Sequence, residues 1–64
     1  MLGKNIRKLR RDRDMSQEAL AEALNVSRFA IQRWEAGDNT PRAETLERIA
    51  EYFGTTGKEL LKED

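Results

Sequence analysis

The chain contains no cysteine and no histidine. Without cysteine there can be no disulfide and no thiolate metal site. Without histidine the commonest general base is missing, along with the usual zinc ligands and any histidine-based triad. Glycine occurs four times and proline once, with no glycine-rich phosphate loop, repeat or low-complexity linker. No apolar run approaches the ~20 residues needed to cross a bilayer. The opening "MLGKNIRKLRRDRD" is basic but has no continuous apolar stretch, unlike a signal peptide. These absences argue against an enzyme, a metal or cofactor site and a membrane segment. They suggest an intracellular soluble protein or a domain of one, and 64 residues make one domain at most.

Charge is balanced overall, with twelve basic and twelve acidic residues. Its distribution is not. Residues 1–15 hold six basic groups (Lys4, Arg7, Lys8, Arg10, Arg11, Arg13) and two acidic ones, a net of +4. Residues 16–64 carry the opposite net, −4. One surface is thus expected to be basic, which suits a polyanion. The competing reading is a solvated, arginine-rich helix.

Helical periodicity dominates, and no stretch alternates like a strand. A first helix is expected from about Leu2 to Arg13, with Leu2, Ile6 and Leu9 on one side. Ser16 caps a second helix, "QEALAEAL", which buries Leu20, Ala21 and Leu24 and stops at Asn25. Ser27 caps a third that runs to about Ala36, with Gly37 as its stop. Pro41 suits the first turn of a fourth, where Leu46, Ile49, Ala50 and Phe53 share a face and Gly54 ends the run. Thr56 and Glu59 fit a capping box for a short fifth helix with Leu60 and Leu61. The expected core is Ile6, Leu9, Leu20, Ala21, Leu24, Val26, Ile31, Trp34, Leu46, Ile49, Ala50, Phe53 and Leu60.

Only Asn25, Val26 and Ser27 separate helices two and three, so the pair must cross steeply, as in a helix-turn-helix unit. Ala21 is small where the helices approach, and Asn25 suits a positive φ. At this point the sequence resembles the phage repressor and Cro-type (XRE-like) helix-turn-helix regulators. "SQEALAEALNVSRFAIQRWEAG" has the family's Gln-x-x-Leu-Ala-x-x-Leu, the Val-Ser turn and the Ile-x-x-Trp-Glu-x-Gly ending. "TPRAETLERIAEYFGTTGKELL" resembles its fourth and fifth helices. Asn25 departs from the family's usual glycine but accepts the same backbone region.

On a wheel of roughly 100° per residue, Trp34 and Glu35 fall near the inward-facing Ile31. Phe29, Gln32, Arg33 and Ala36 fall on the far side, with Arg28 on the flank at the helix start. In this motif the second helix enters the major groove and its N-terminal half meets base edges. Arginine can fork onto guanine O6 and N7, glutamine can pair with adenine, and phenylalanine can touch the thymine methyl. The resemblance places base contacts at Arg28, Phe29 and Arg33; Gln32 leans toward the flank, within reach of a base or a phosphate. Two other readings of Phe29 stand beside this: packing against the second helix, or a protein interface. Trp34 reads as core.

The resemblance further implies phosphate contacts at Gln17, which opens the second helix, at Ser27, and at Asn39, Thr40 and Arg42 before the fourth. Capping or solvation is the alternative for each. The resemblance also brings Arg10 and Glu35 together as a structural ion pair. The short fifth helix, with Leu60 and Leu61, is a candidate dimer contact. The resemblance implies an all-α, five-helix fold of the lambda-repressor-like DNA-binding type, one domain over residues 1–64 with its helix-turn-helix at about 16–36. The implied protein is a bacterial or phage-encoded, cytoplasmic transcriptional regulator. It would be a repressor holding a palindromic double-stranded operator as a homodimer, without cofactor, metal or membrane. The rival on the same fold is a protein-interaction module, such as an antitoxin or a coactivator-bridging domain.

Overall fold

A computed structural model describes residues 2–62. They form five helices: α1 (Leu2–Asp12), α2 (Gln17–Leu24), α3 (Arg28–Ala36), α4 (Ala43–Phe53) and α5 (Gly57–Leu60). Among the described residues there is no strand, no helix long and apolar enough to cross a membrane, and no acidic cluster arranged for a metal ion.

Most helix boundaries have a local cause. Ser16, Ser27 and Thr56 accept the backbone N–H three residues on, from Ala19, Ala30 and Glu59, satisfying one of the donors a helix start leaves without an intrahelical partner. Four helices then stop in the same way. The residues at φ 55° (Asp14), 58° (Asn25), 81° (Gly37) and 71° (Gly54) are left-handed. After each, the chain returns an N–H to the carbonyl five residues back: Met15 to Arg10, Val26 to Ala21, Asp38 to Arg33 and Thr55 to Ala50. That is the Schellman arrangement. Asp14 was not foreseen as a stop; its short polar side chain tolerates the left-handed region.

The expected start of α4 needs correction. Pro41 is not in its first turn: it lies buried in the preceding loop, and the helix begins two residues later at Ala43, with Arg42 as the flanking residue. Proline's fixed φ serves equally well in an extended segment.

The core is Ile6, Leu20, Ala21, Leu24, Ile31, Trp34, Ile49, Ala50, Phe53 and Leu60. Leu9, Val26 and Leu46 are only partly buried and pack around it with Leu2, Met15 and Ala30. Polar side chains tie the helix ends to this body. Asn5 donates to the carbonyls of Leu60 (2.7 Å) and Lys62 (2.8 Å), capping the end of α5 from α1. Arg48 of α4 donates to the carbonyl of Leu24 at the end of α2. Arg13 lies 5.0 Å from the Phe53 ring centroid and 5.3 Å from that of Tyr52, holding the first turn against α4.

One glycine has a packing role. A methyl group on Gly3 would meet the carbonyl oxygens of Trp34 and Glu35. The start of α1 therefore rests directly on the last turn of α3. Gly3→Ala should force the two helices apart and cost about 1–3 kcal/mol, read as a lower urea midpoint with the same transition slope. An unchanged midpoint would show that this approach is not a tight constraint.

Candidate nucleic-acid interface

Helix α3 meets α1 and α2 through Ile31, Trp34 and Glu35, all buried. That contact fixes what the helix shows on its other side. Arg28, Phe29, Gln32 and Arg33 are exposed along one ridge. Phe29 is 55% exposed and is not among the residues packed on the core. Instead, the Arg28 guanidinium carbon lies 5.3 Å from its ring centroid. No residue of the ridge makes a side-chain hydrogen bond or ion pair within the described residues. These donors point outward and are free for a partner.

Behind the ridge sits a charged hub. The Glu35 side chain is 1% exposed, a position carboxylates rarely occupy unless paired. Its Oε2 accepts from Arg10 Nε at 2.7 Å. Its Oε1 accepts from Arg10 Nη2 at 2.9 Å, Gln17 Nε2 at 3.1 Å and Arg7 Nε at 3.4 Å. Arg10 thus grips the carboxylate with two parallel donors, the strong geometry for such a pair. Its remaining Nη1 donates to the carbonyl of Met15 at 2.7 Å. Burial alone would push the Glu35 carboxyl up. The hydrogen bonds from Arg10 and Gln17, the Arg10 charge and the Arg7 hydrogen bond outweigh it and hold the group below the ordinary carboxylate range. The hydrogen bond to Glu35 in turn raises Arg10, against burial.

The expected ion pair of Arg10 and Glu35 is therefore present, but it belongs to a larger cluster. Two arginines face one carboxylate, leaving one positive charge in excess. Arg7 carries it to the surface: its side chain is 46% exposed, and its two Nη groups have no partner among the described residues. Sequence reasoning passed over Arg7. The available signal was its spacing, three residues before Arg10 and one turn along the same helix. Gln17 stands beside it at the first residue of α2, half-buried, with one amide N–H held by Glu35.

The loop side of the surface is simpler. Ser27 is occupied by its cap, accepting from Ala30 at 3.1 Å, and keeps its hydroxyl proton for an outside acceptor. Asn39 is exposed, its Oδ1 accepting the Thr40 N–H at 3.0 Å. Thr40 and Arg42 are exposed as well. Arg42 precedes α4 without a side-chain cap, so it satisfies none of the donors that a helix start leaves without an intrahelical partner. Gln17, the ridge of α3 and this loop are thus three separate sets of donors, none of them closed off by the fold.

At the other end of the chain, the paired reading of Leu60 and Leu61 is corrected. Leu60 is 1% exposed and part of the core, whereas Leu61 is 52% exposed. A single-turn helix can turn only one of two successive leucines inward, and Leu60 takes that place.

Two packed helices, α2 and α3, joined by a three-residue turn, with an exposed ridge on the second, form a helix-turn-helix. The chain belongs to that family: the helix-turn-helix family model matches residues 6–60. It is 45% identical over 56 residues to the HTH-type transcriptional activator BcrR of Enterococcus faecalis, covering 88% of this chain and 28% of that protein. It is 33% identical over 63 residues to the cryptic phage CTXphi transcriptional repressor RstR of Vibrio cholerae, covering 98% of this chain and 57% of that one. The chain thus spans well under two thirds of either relative's length. Among solved structures, the solution structure of the P22 C2 repressor DNA-binding domain superposes with a TM-score of 0.88 at 31% identity, covering 100% of this chain and 84% of that one.

The hub makes a pH prediction. A carboxyl whose folded pKa is depressed contributes stability that is present above its unfolded pKa and lost as pH falls through the folded value. Stability should therefore decline on acidification below the ordinary glutamate range. Glu35→Gln should remove the Glu35 share of that slope in urea titrations at stepped pH. At neutral pH, Arg10→Ala leaves the carboxylate buried without its main partner and should cost about 3–5 kcal/mol.

Proposed function

We propose that this chain is a sequence-specific double-stranded DNA-binding transcriptional regulator, and that its DNA-binding unit spans residues 1–64 with the helix-turn-helix at 16–36. The carrying observation is the ridge of Arg28, Phe29, Gln32 and Arg33, exposed and with no side-chain hydrogen bond or ion pair among the described residues, on the helix that the motif offers to the major groove. Arg28 and Arg33 supply forked donors for guanine, Phe29 an apolar surface for a thymine methyl, and Gln32 donors and acceptors for adenine or a phosphate. Gln17, Ser27, Asn39, Thr40 and Arg42 hold the phosphates on either side, with Arg7 added to the Gln17 end. These contacts set register and carry no sequence information. The charge imbalance along the chain, which places the excess of basic groups in residues 1–15, supports a polyanionic partner. The role is one of binding, not catalysis, in the cytoplasm.

The regulator acts as a repressor by occupying an operator and excluding polymerase. The names of the vibrio phage relative and of the structural neighbour support this sign of action. One module of this size buries little DNA surface, so a homodimer on a palindromic operator, with half-sites about 34 Å apart, supplies the affinity. Leu61, exposed beside α5, is the contact the dimer would use. Sedimentation with operator duplex should show two chains per duplex, and Leu61→Lys should reduce that to one. A single chain per duplex for the parent protein at saturating concentration would remove the dimer.

Two substitutions separate the roles of the charged groups. Arg33→Ala should cost about 1–3 kcal/mol on the preferred duplex and relax selectivity at one base pair. Arg42→Ala should weaken all duplexes alike and lower the salt dependence of binding by about one ion. Uniform loss in both would take Arg33 off the base edges. Binding without salt dependence or sequence preference would overturn the DNA reading itself.

A further inference from the structure

The Arg28–Phe29 contact is unusual for its place. Phe29 is the most exposed large apolar side chain among the described residues, at 55%. It contributes nothing to the core, and its ring lies against the guanidinium of its own neighbour. Such a contact orients both side chains together at modest energetic gain in water. It makes one composite surface with two chemistries side by side: an apolar ring, and a planar fork of donors that finds no acceptor among the described residues.

Arg28 and Phe29 open α3 just after the Ser27 cap, in the part of the helix that meets base edges in this motif. The major groove offers the fork one best match, guanine O6 and N7, and offers the ring one apolar group, the methyl at pyrimidine C5. The guanidinium carbon and the ring centroid are 5.3 Å apart. Successive base pairs are stacked about 3.4 Å apart. A separation of 5.3 Å spans between one and two such steps, so with Arg28 on a guanine the ring falls over that base pair or its close neighbour. A guanine's own pair carries cytosine, so an unmodified methyl must come from the neighbouring pair.

We infer that Arg28 and Phe29 act as one reader of a guanine next to a C5-methylated pyrimidine, and that the ring recognises the methyl rather than the thymine base. This rests on the DNA reading above and goes further. A thymine beside guanine satisfies the reader, and so does 5-methylcytosine beside guanine. Cytosine methylation at that step therefore raises affinity, where a reader of the thymine O4 would lose its contact.

The test starts from a preferred duplex selected with the full chain from random sequences. Each thymine beside a guanine is replaced singly by uracil, which removes only the methyl group. At one such thymine per half-site, uracil should weaken binding about fourfold, the value of one buried methyl. At the same position 5-methylcytosine, paired with guanine, should bind about fourfold better than cytosine. Phe29→Ala should abolish both differences, and Arg28→Ala should abolish the preference for the neighbouring guanine. Both side chains are exposed, so both variants keep the fold, which circular dichroism checks. Uracil without effect at every position overturns the inference while leaving DNA binding intact. So does undiminished methyl discrimination in Phe29→Ala. A Phe29→Ala protein whose only change is a lower sedimentation coefficient also overturns it, assigning the ring to a protein contact. Enrichment of no duplex at all fails the underlying DNA reading instead.

Discussion

The carboxylate of Glu35 is the group on which the arrangement of helices depends. A buried charge without partners is prohibitively unfavourable, so the fold exists only in the arrangement that delivers its partners. Those come from different places: Arg7 and Arg10 from α1, Gln17 from the start of α2. Hydrophobic burial is tolerant of small rotations, but two parallel hydrogen bonds at 2.7 and 2.9 Å are not. The cluster therefore sets the azimuth of α3 as well as its position. It does so from the last turn of the helix, while Ile31 and Trp34 fix the middle and the Ser27 cap fixes the beginning. Gly3 completes the arrangement by letting α1 come close enough for its arginines to arrive.

This division of labour leaves the two sides of α3 almost independent. The inward side carries the fold; the outward side chains make no hydrogen bond or ion pair with it among the described residues. The hub also reaches the surface at one point. Gln17 and Arg7 share the Glu35 oxygen, so two of the groups proposed to hold phosphate are aligned by the same buried anion that aligns the recognition helix. The backbone grip and the base readout proposed above would share a mechanical reference.

Much of this was legible in the chain because it is locally encoded. Serine and threonine caps, left-handed stops at Asn25, Gly37 and Gly54, and the 3.6-residue apolar period act within a few residues of themselves. The ridge followed from the period once Ile31 was placed inward. What escaped notice depends on distant partners. Asn5 caps α5 from 55 residues away, and nothing near Asn5 announces it. Gly3 could have been an ordinary helix residue; only the carbonyls of α3 make it necessary. Arg7 gains its place through Glu35, 28 residues on. Arg10 and Glu35 themselves were paired by family resemblance, since charge and spacing alone offered several partners. Leu60 and Leu61 failed for another reason: a helix of one turn has too few residues to define a face.

The Schellman stops have a consequence for how such a protein can change. They are made by backbone atoms, Arg33 entering one only through its carbonyl, and the ridge side chains take no part in them or in the hub. A substitution at Arg28, Phe29, Gln32 or Arg33 therefore draws little on the narrow stability margin that limits most mutations in a chain this short. The fold works as a socket, and the ridge as an interchangeable plug. Lineages sharing this scaffold can drift from one DNA sequence to another through folded intermediates, without first acquiring stabilising changes elsewhere.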